Sequence, residues 1–246
     1  MGKIVALGGG GFAKSQTGKI VAEIIALTGK SRPRILYVPT AGRENPKGIG
    51  KFQRIHERTY GCRTDVLYLL GVAPPAGEIG RKIAWADIVF VGGGNTLLMM
   101  RRWRFLGVDR ELRKAYRRGA VLAGGSAGSI CWFEQGHSDS MHGYGHSPWE
   151  YIAVAGMGLL QGIHCPHYHH KDRRTKFRSM IRQRGGWGLA IDDRAALEVV
   201  DGQWRVLANC PGAKAYVVTR RRGRVFEQPI EPSAEFRPLA ELYALK

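Results

Sequence analysis

Long apolar runs are missing from this sequence: none approaches the roughly 20 residues that a membrane-spanning helix requires, and the chain is expected to be soluble. The apolar start at residues 3–7 runs into Gly8, Gly9, Gly10 and Gly11, where a secretory signal would continue its apolar segment toward a small-residue cleavage site. That stretch is expected to be a first buried strand. Cysteine is scarce as well. Cys62, Cys131, Cys165 and Cys210 are scattered without a C-x-x-C pair, which argues against a disulfide frame or zinc ribbon and for reduced thiols in the cytoplasm. Acidic residues are few beside basic ones, 20 against 38, leaving a formal net charge of +18. A field of that sign attracts nucleic acid, acidic surfaces or acidic substrates. Helix-turn-helix, RNP and zinc-finger patterns are absent, however, and the basic residues spread over Arg101-Arg102, Arg117-Arg118, 171–184 and 220–224 without forming one arm. They are expected to be solvated faces. A non-enzymatic nucleic-acid binder, which salt-dependent DNA binding would reveal, is the alternative from another class.

What is present is the make-up of a globular chain. With 246 residues, 44% of them hydrophobic and 24% charged, and no internal repeat, one α/β domain over 1–246 is expected. Short continuous apolar runs at 4–7, 35–38, 66–70, 88–91 and 120–123 alternate with segments long enough for crossover helices, predicted at 15–27, 48–59, 77–85 and 108–117. Strands apolar on both sides belong in a parallel sheet covered on both faces, so the pattern predicts a doubly wound sheet. From about residue 188 the pattern changes. Shorter strands at 196–200, 204–207, 215–219 and 225–228 are separated by Asp201-Gly202 and Arg222-Gly223, both hairpin signals, and an antiparallel extension packed on the same sheet is expected.

Ligands of such sheets sit beyond the C-terminal ends of the strands. Three runs there end in glycine: residues 8–11, Gly92-Gly93-Gly94-Asn95-Thr96, and Gly124-Gly125-Ser126-Ala127-Gly128. The first lacks G-x-G-x-x-G spacing with an acid about 20 residues on, so it is expected to floor an active site and not to bind a dinucleotide. Gly124-x-Ser126-x-Gly128 has the strand–turn–helix setting of a nucleophile elbow. A serine on so tight a turn is held in a strained backbone conformation, and larger neighbours would collide with the adjoining strand or block the substrate. The helix that follows aims N–H groups at developing negative charge. The hydroxyl needs a base, and the base an orienting carboxylate. His164, His167, His169 and His170 cluster after the apolar stretch 157–163, at an expected strand end, whereas His137, His142 and His146 lie in a Gly/Ser-rich loop and are expected to be less constrained.

VGGGNT at 91–96, GGSAGSICWF at 124–133 and CPHY at 165–168 together resemble the family of aspartyl dipeptidase (peptidase E) and cyanophycinase, a likeness that extends over roughly residues 4–218. The resemblance implies a flavodoxin-like sheet akin to class I glutamine amidotransferases. It also implies a serine exopeptidase or β-aspartyl-peptide hydrolase that uses neither metal nor cofactor. On the matching positions Ser126 is the nucleophile, His167 the general base, and Gly94 and Ala127 the oxyanion hole, where each N–H contributes about 3 kcal/mol. Asn95 and Thr96 are expected to contact the substrate. Two carboxylates match acidic positions of the family: Asp193, favoured as the orienter of His167, and Asp139, expected to be a loop carboxylate near the site.

The basic stretch 171–178 follows the expected base, and as a helix it would place Lys171, Arg174 and Arg178 on one face. Arg174, with Arg178, is expected to hold an acidic side chain of the substrate. The expected partner is a small acidic peptide, with neither membrane nor nucleic acid, and a homodimer is left open. Zinc on His167, His169 and His170 with Cys165 is the weaker reading, because neighbours on a strand alternate sides and H-E-x-x-H is absent. Amidotransferase chemistry would place cysteine where Ser126 stands; Cys131, five residues on, is expected to be a core residue.

Overall fold

The computed structural model describes residues 2–11, 14–72, 74–145 and 148–245. Its first half alternates strand and helix: β1 (Lys3–Leu7), α1 (Lys14–Ala26), β2 (Arg34–Val38), α2 (Pro46–Tyr60), β3 (Arg63–Val66), α3 (Ala76–Trp85), β4 (Ile88–Val91), α4 (Thr96–Leu106), α5 (Val108–Arg117), β5 (Val121–Gly125) and the short α6 (Ala127–Ile130). The second half is richer in strands: β6 (Phe133–Ser138), β7 (Ile152–Ala155), β8 (Leu160–Cys165), α7 (Lys171–Arg184), β9 (Trp187–Ile191), β10 (Ala195–Val200), β11 (Gln203–Ala208), β12 (Ala215–Arg221), β13 (Arg224–Ile230), β14 (Arg237–Pro238) and α8 (Leu239–Ala244).

Among the described residues these strands make two sheets. The larger runs β14-β11-β10-β1-β5-β4-β2-β3, and the smaller β13-β12-β9-β8-β6-β7. Strands β1, β5, β4, β2 and β3 are parallel, the doubly wound, flavodoxin-like core, and β10, β11 and β14 extend it antiparallel. Two-sided burial is visible in β1 itself. Val5 and Leu7 face a cluster with Ile20, Ile24, Ile49 and Phe52 of α1 and α2. Ile4 and Ala6 face the opposite cluster, which holds Met99 and Trp103 of α4 together with Leu189 and Ile191 of the smaller sheet.

The second sheet departs from the sequence reading. Residues beyond 188 were expected on one sheet, yet β9 pairs with β8 and carries β12 and then β13 into the smaller sheet, while β10 pairs with β1 and carries β11 into the larger. β8, α7 and β9 form a second parallel crossover, and the turn at 192–194 hands the chain from one sheet to the other. Both hairpin signals behave as expected: Asp201 and Gly202, like Arg222 and Gly223, have positive φ, the geometry of two-residue turns. The third strand lies ahead of its apolar run at 66–70 and shares only Val66 with it; beyond the strand, the Leu69 and Leu70 N–H groups bond to the Glu44 carboxylate. Helix α4 was not foreseen; Asn95 caps it by accepting from the Leu98 N–H at 2.9 Å, and Gly107 ends it in the left-handed conformation.

Candidate active site

The larger sheet reverses its winding between β2 and β4, which places a crevice beyond the C-terminal ends of these strands. Gly125 ends β5 there, and Ser126 turns the chain into α6 with φ 57° and ψ −120°. Small neighbours make this turn fit. A Cβ on Gly128 would come within 2.1 Å of the Val91 carbonyl oxygen, and one on Gly124 within 2.3 Å of the Gly128 carbonyl oxygen. Beneath the turn, Ser129 Oγ lies 2.7 Å from the Ser126 carbonyl oxygen and 2.9 Å from Nε2 of the fully buried His164, whose Nδ1 is 2.9 Å from the Leu189 carbonyl. Burial holds His164 down at about 3 and so neutral.

His167 stands in the turn that follows β8, at φ 56°, with its backbone N–H donating to the Gly8 carbonyl at 3.0 Å. Its Nε2 is 2.9 Å from Ser126 Oγ and its Nδ1 is 2.5 Å from Asp193 Oδ1. Asp193 comes from the sheet-switching turn. Gly9 permits the pair: a Cβ there would lie 2.1 Å from Asp193 Oδ1 and 2.3 Å from the His167 ring. Burial pushes the Asp193 carboxyl up, but the His167 hydrogen bond and the neighbouring His167, His169 and His170 outweigh it and leave it below the ordinary value. The aspartate is therefore ionised at neutral pH, as an acceptor for the Nδ1–H must be.

Ala127 opens α6, so its N–H has no acceptor within its own helix. Gly93 faces the serine, since a Cβ on it would lie 3.2 Å from Ser126 Cβ. Gly94 is packed behind, where a Cβ would meet the Ala41 carbonyl oxygen at 2.1 Å. In front of Ser126 and His167 opens a cavity of about 310 Å³ with an apolar wall of Leu7, Tyr37, Pro39, Phe90 and Val91. Burial pushes the Tyr37 phenol up to about 12, so it stays protonated.

The structure thus brings Ser126, His167 and Asp193 together, with the glycine-rich loop 8–11 as their floor. Other expected site residues go elsewhere. Asp139 bonds the buried Arg173 at 2.5 Å, and Arg173 also reaches the His137 carbonyl, so Asp139 does not orient His167. Asn95 caps α4 and donates to the Ser140 carbonyl at 3.0 Å, while Thr96 is buried and accepts from Ser138; neither residue lines the cavity in front of Ser126. Arg174 and Arg178 both bind Glu227, which also accepts from Tyr168 at 2.7 Å, and the Arg174 guanidinium lies over the Tyr168 and Tyr216 rings. These arginines share the one Glu227 carboxylate, and neither lines the cavity.

His137 is not a loop residue. It lies in β6, fully buried and stacked on Tyr151, and burial with the nearby Arg173 lowers it to about 3. His142 sits edge-on to Trp149, and His146 lies outside the described residues. The histidines at 167–170 occupy a turn, not a strand, and donor atoms of His167, His170 and Asp193 lie within 4.8 Å of one another. Both ring nitrogens of His167 are already engaged by Ser126 and Asp193, however, and a metal would have to displace one. Cys165 is buried against His137, away from that group, with its thiol pushed up by burial. Cys131 is likewise a buried core residue. Sequence reasoning missed the wall residues Tyr37 and Pro39, although they stand where the second apolar run ends, the position the strand-end rule designates.

This fold and this geometry are those of α/β hydrolytic enzymes of the serine class. The model of peptidase family S51 matches residues 4–207, and the chain belongs to that family of serine peptidases. It is 35% identical over 234 residues to the uncharacterized peptidase YgaJ of Bacillus subtilis (strain 168), covering 94% of this chain and 97% of that one. Among solved structures it is similar to a peptidase from an acI-B1 actinobacterium, with a TM-score of 0.73, 18% identity and 97% of each chain covered. It is also similar to a candidate peptidase E of Listeria monocytogenes EGD-e, with a TM-score of 0.64, 15% identity, 85% of this chain and 98% of the other. At those identities the two structures speak for the fold.

Proposed function

We propose that the chain is a serine-type exopeptidase that cleaves small peptides beside an aspartate, through an acyl-enzyme on Ser126. The observation that carries this reading is the continuous relay from Ser126 Oγ to His167 Nε2 at 2.9 Å and from His167 Nδ1 to Asp193 Oδ1 at 2.5 Å. In it, the Asp193 carboxylate accepts the Nδ1–H and so leaves the Nε2 lone pair facing the hydroxyl. Nε2 takes the proton as Oγ attacks the scissile carbonyl, and the new oxyanion is held by the N–H groups of Ala127 and Gly94, the latter in the peptide that joins Gly93. Collapse expels the amine, which receives the proton from Nε2. Water then gives a proton to His167 Nε2 as it attacks the acyl carbon, and on collapse Nε2 returns that proton to Oγ, which frees Ser126 and the acid product.

A cavity of about 310 Å³ accommodates a side chain or two, in keeping with short substrates. The preference for aspartate is supported by the net charge of +18 and by the resemblance of the motifs at 91–96, 124–133 and 165–168 to the aspartyl dipeptidase family. Buried free thiols at Cys62, Cys131 and Cys165 suit a cytoplasmic enzyme. The test is hydrolysis of a library holding Asp-Xaa dipeptides, β-aspartyl peptides and neutral counterparts by wild type and Ser126→Ala. Asp-Xaa turnover is expected for the wild type, with a loss on the order of 10⁶-fold in kcat for the variant. Turnover of β-aspartyl peptides alone would move the substrate to isopeptides, and activity retained by Ser126→Ala would remove the serine mechanism.

A further inference from the structure

An acidic side chain entering the cavity meets a wall that offers no cation: among the described residues lining it, His167 alone is basic, and it is engaged with Ser126 and Asp193. A carboxylate left there without a partner is strongly disfavoured, so an enzyme acting beside aspartate needs a positive group at the rim. Arg174 and Arg178 do not supply it, because Glu227 holds both.

Arg194 stands where such a group is needed. It directly follows Asp193 in the sheet-switching turn, and its backbone is fixed on both sides: the N–H donates to the Gly9 carbonyl at 3.0 Å and the carbonyl accepts from the Asn209 N–H at 2.8 Å. Its Cγ lies 3.7 Å from the point a Cβ on Gly10 would occupy, and Thr17 Cγ2 lies 3.1 Å from that same point; Gly10 and Thr17 both line the cavity. The residue is exposed, and its guanidinium meets no acceptor among the described residues. Its φ of 64° is one that glycine adopts freely, so an arginine is present against the local backbone preference.

We propose that Arg194 is the specificity-determining residue of this site and holds the carboxylate of the substrate's aspartate, an inference that rests on the reading of the chain as a peptidase acting beside aspartate. A guanidinium takes a carboxylate through two parallel N–H···O bonds, a geometry that a neutral amide cannot reproduce. One turn then does two things: Asp193 orients the base and Arg194 reads the charge of the substrate.

The experiment compares Asp-Xaa with the isosteric Asn-Xaa dipeptide for wild type, Arg194→Gln, Arg194→Lys, Arg174→Gln and Arg43→Gln, the last beside Gly42 of the cavity lining. Ser126 labelling by a small fluorophosphonate is followed in parallel. Arg194→Gln is expected to lose about 10- to 100-fold in kcat/KM on Asp-Xaa, mainly through KM, with Asn-Xaa turnover and labelling unchanged. Arg194→Lys should recover part of the loss, and the Arg174 and Arg43 variants should keep the wild-type Asp/Asn ratio. An unchanged ratio in Arg194→Gln, or a ratio that falls instead in Arg174→Gln or Arg43→Gln, overturns the assignment while leaving the peptidase reading in place. Equal loss on both dipeptides together with lost labelling would make Arg194 a prop for Asp193 and also overturn it. A wild type indifferent to Asp against Asn would defeat the acidic-substrate reading, and the inference with it.

Discussion

Ser126 and His167 both hold backbone conformations that non-glycine residues avoid, with φ of 57° and 56°. Each such position costs on the order of 1–3 kcal/mol and persists only where its surroundings over-determine it. For His167 those surroundings include the bond to the Gly8 carbonyl and the Asp193 carboxylate. The choice between the two carboxylates follows from geometry: Asp193 touches the ring, whereas Asp139 is tied to Arg173. Asp193→Asn should therefore lower kcat by roughly 10⁴-fold, because an amide at that place favours the wrong imidazole tautomer. Asp139→Asn should leave kcat within a few-fold while reducing stability, which thermal melting would show. If Asp139→Asn gave the larger kinetic loss, the orienter would be misassigned. Ser126 was legible in the sequence because small residues of a strand-to-helix turn bracket it, whereas the strand end narrowed the base only to the cluster at 164–170 and the family resemblance of CPHY singled out His167. The partners of Asp139, Asn95 and Thr96 were not, since Arg173, Ser140 and Ser138 are neighbours only after folding.

Among the elements, the strands buried on both faces were readable as apolar runs, and β4, buried at all four positions, is the clearest case. β6 escaped notice for the converse reason. Its sequence FEQGHS carries one large apolar residue, yet Gly136, His137 and Ser138 are buried, and no hydrophobic period marks a buried imidazole. Helix α7 carries the basic face that was expected to meet the substrate, but β13 supplies Glu227 to Arg174 and Arg178 from about 50 positions along the chain. Burial pushes the Glu227 carboxyl up, and Tyr168 and the two arginines more than reverse it, leaving it below its ordinary value. Arg174→Ala is accordingly expected to cost about 1 kcal/mol, kept small by the exposure of the arginine, and to lower Tm by roughly 2–4 °C. Its KM for Asp-Xaa should stay at the wild-type value. A raised KM with an unchanged Tm would restore this helix to substrate binding.

For the molecule as a whole, buried imidazoles set the acid limit. Burial lowers His56, His137 and His164, the last two to about 3, with Arg173 adding to the effect at His137 and the Phe52 carbonyl partly opposing it at His56. A group whose folded value lies below its unfolded one contributes stability that is complete above the unfolded value, near 6.5, and is lost as pH falls toward the folded value. Unfolding should therefore take up protons below pH 6.5, and stability should fall by about 1.4 kcal/mol per pH unit for each imidazole fully in this regime. Urea unfolding between pH 7.5 and 5 checks this, and a flat profile would mean that these rings are charged in the folded protein. No described helix is long and apolar enough to cross a membrane. The central claim is that one serine, activated by His167 and Asp193, carries the chemistry. Its most direct measurement is intact-mass and peptide-mapping analysis after exposure to a small fluorophosphonate. A single adduct on Ser126, absent from Ser126→Ala and strongly slowed in His167→Ala, is the predicted result; an adduct on another residue, or full peptidase activity with Ser126 blocked, would contradict it.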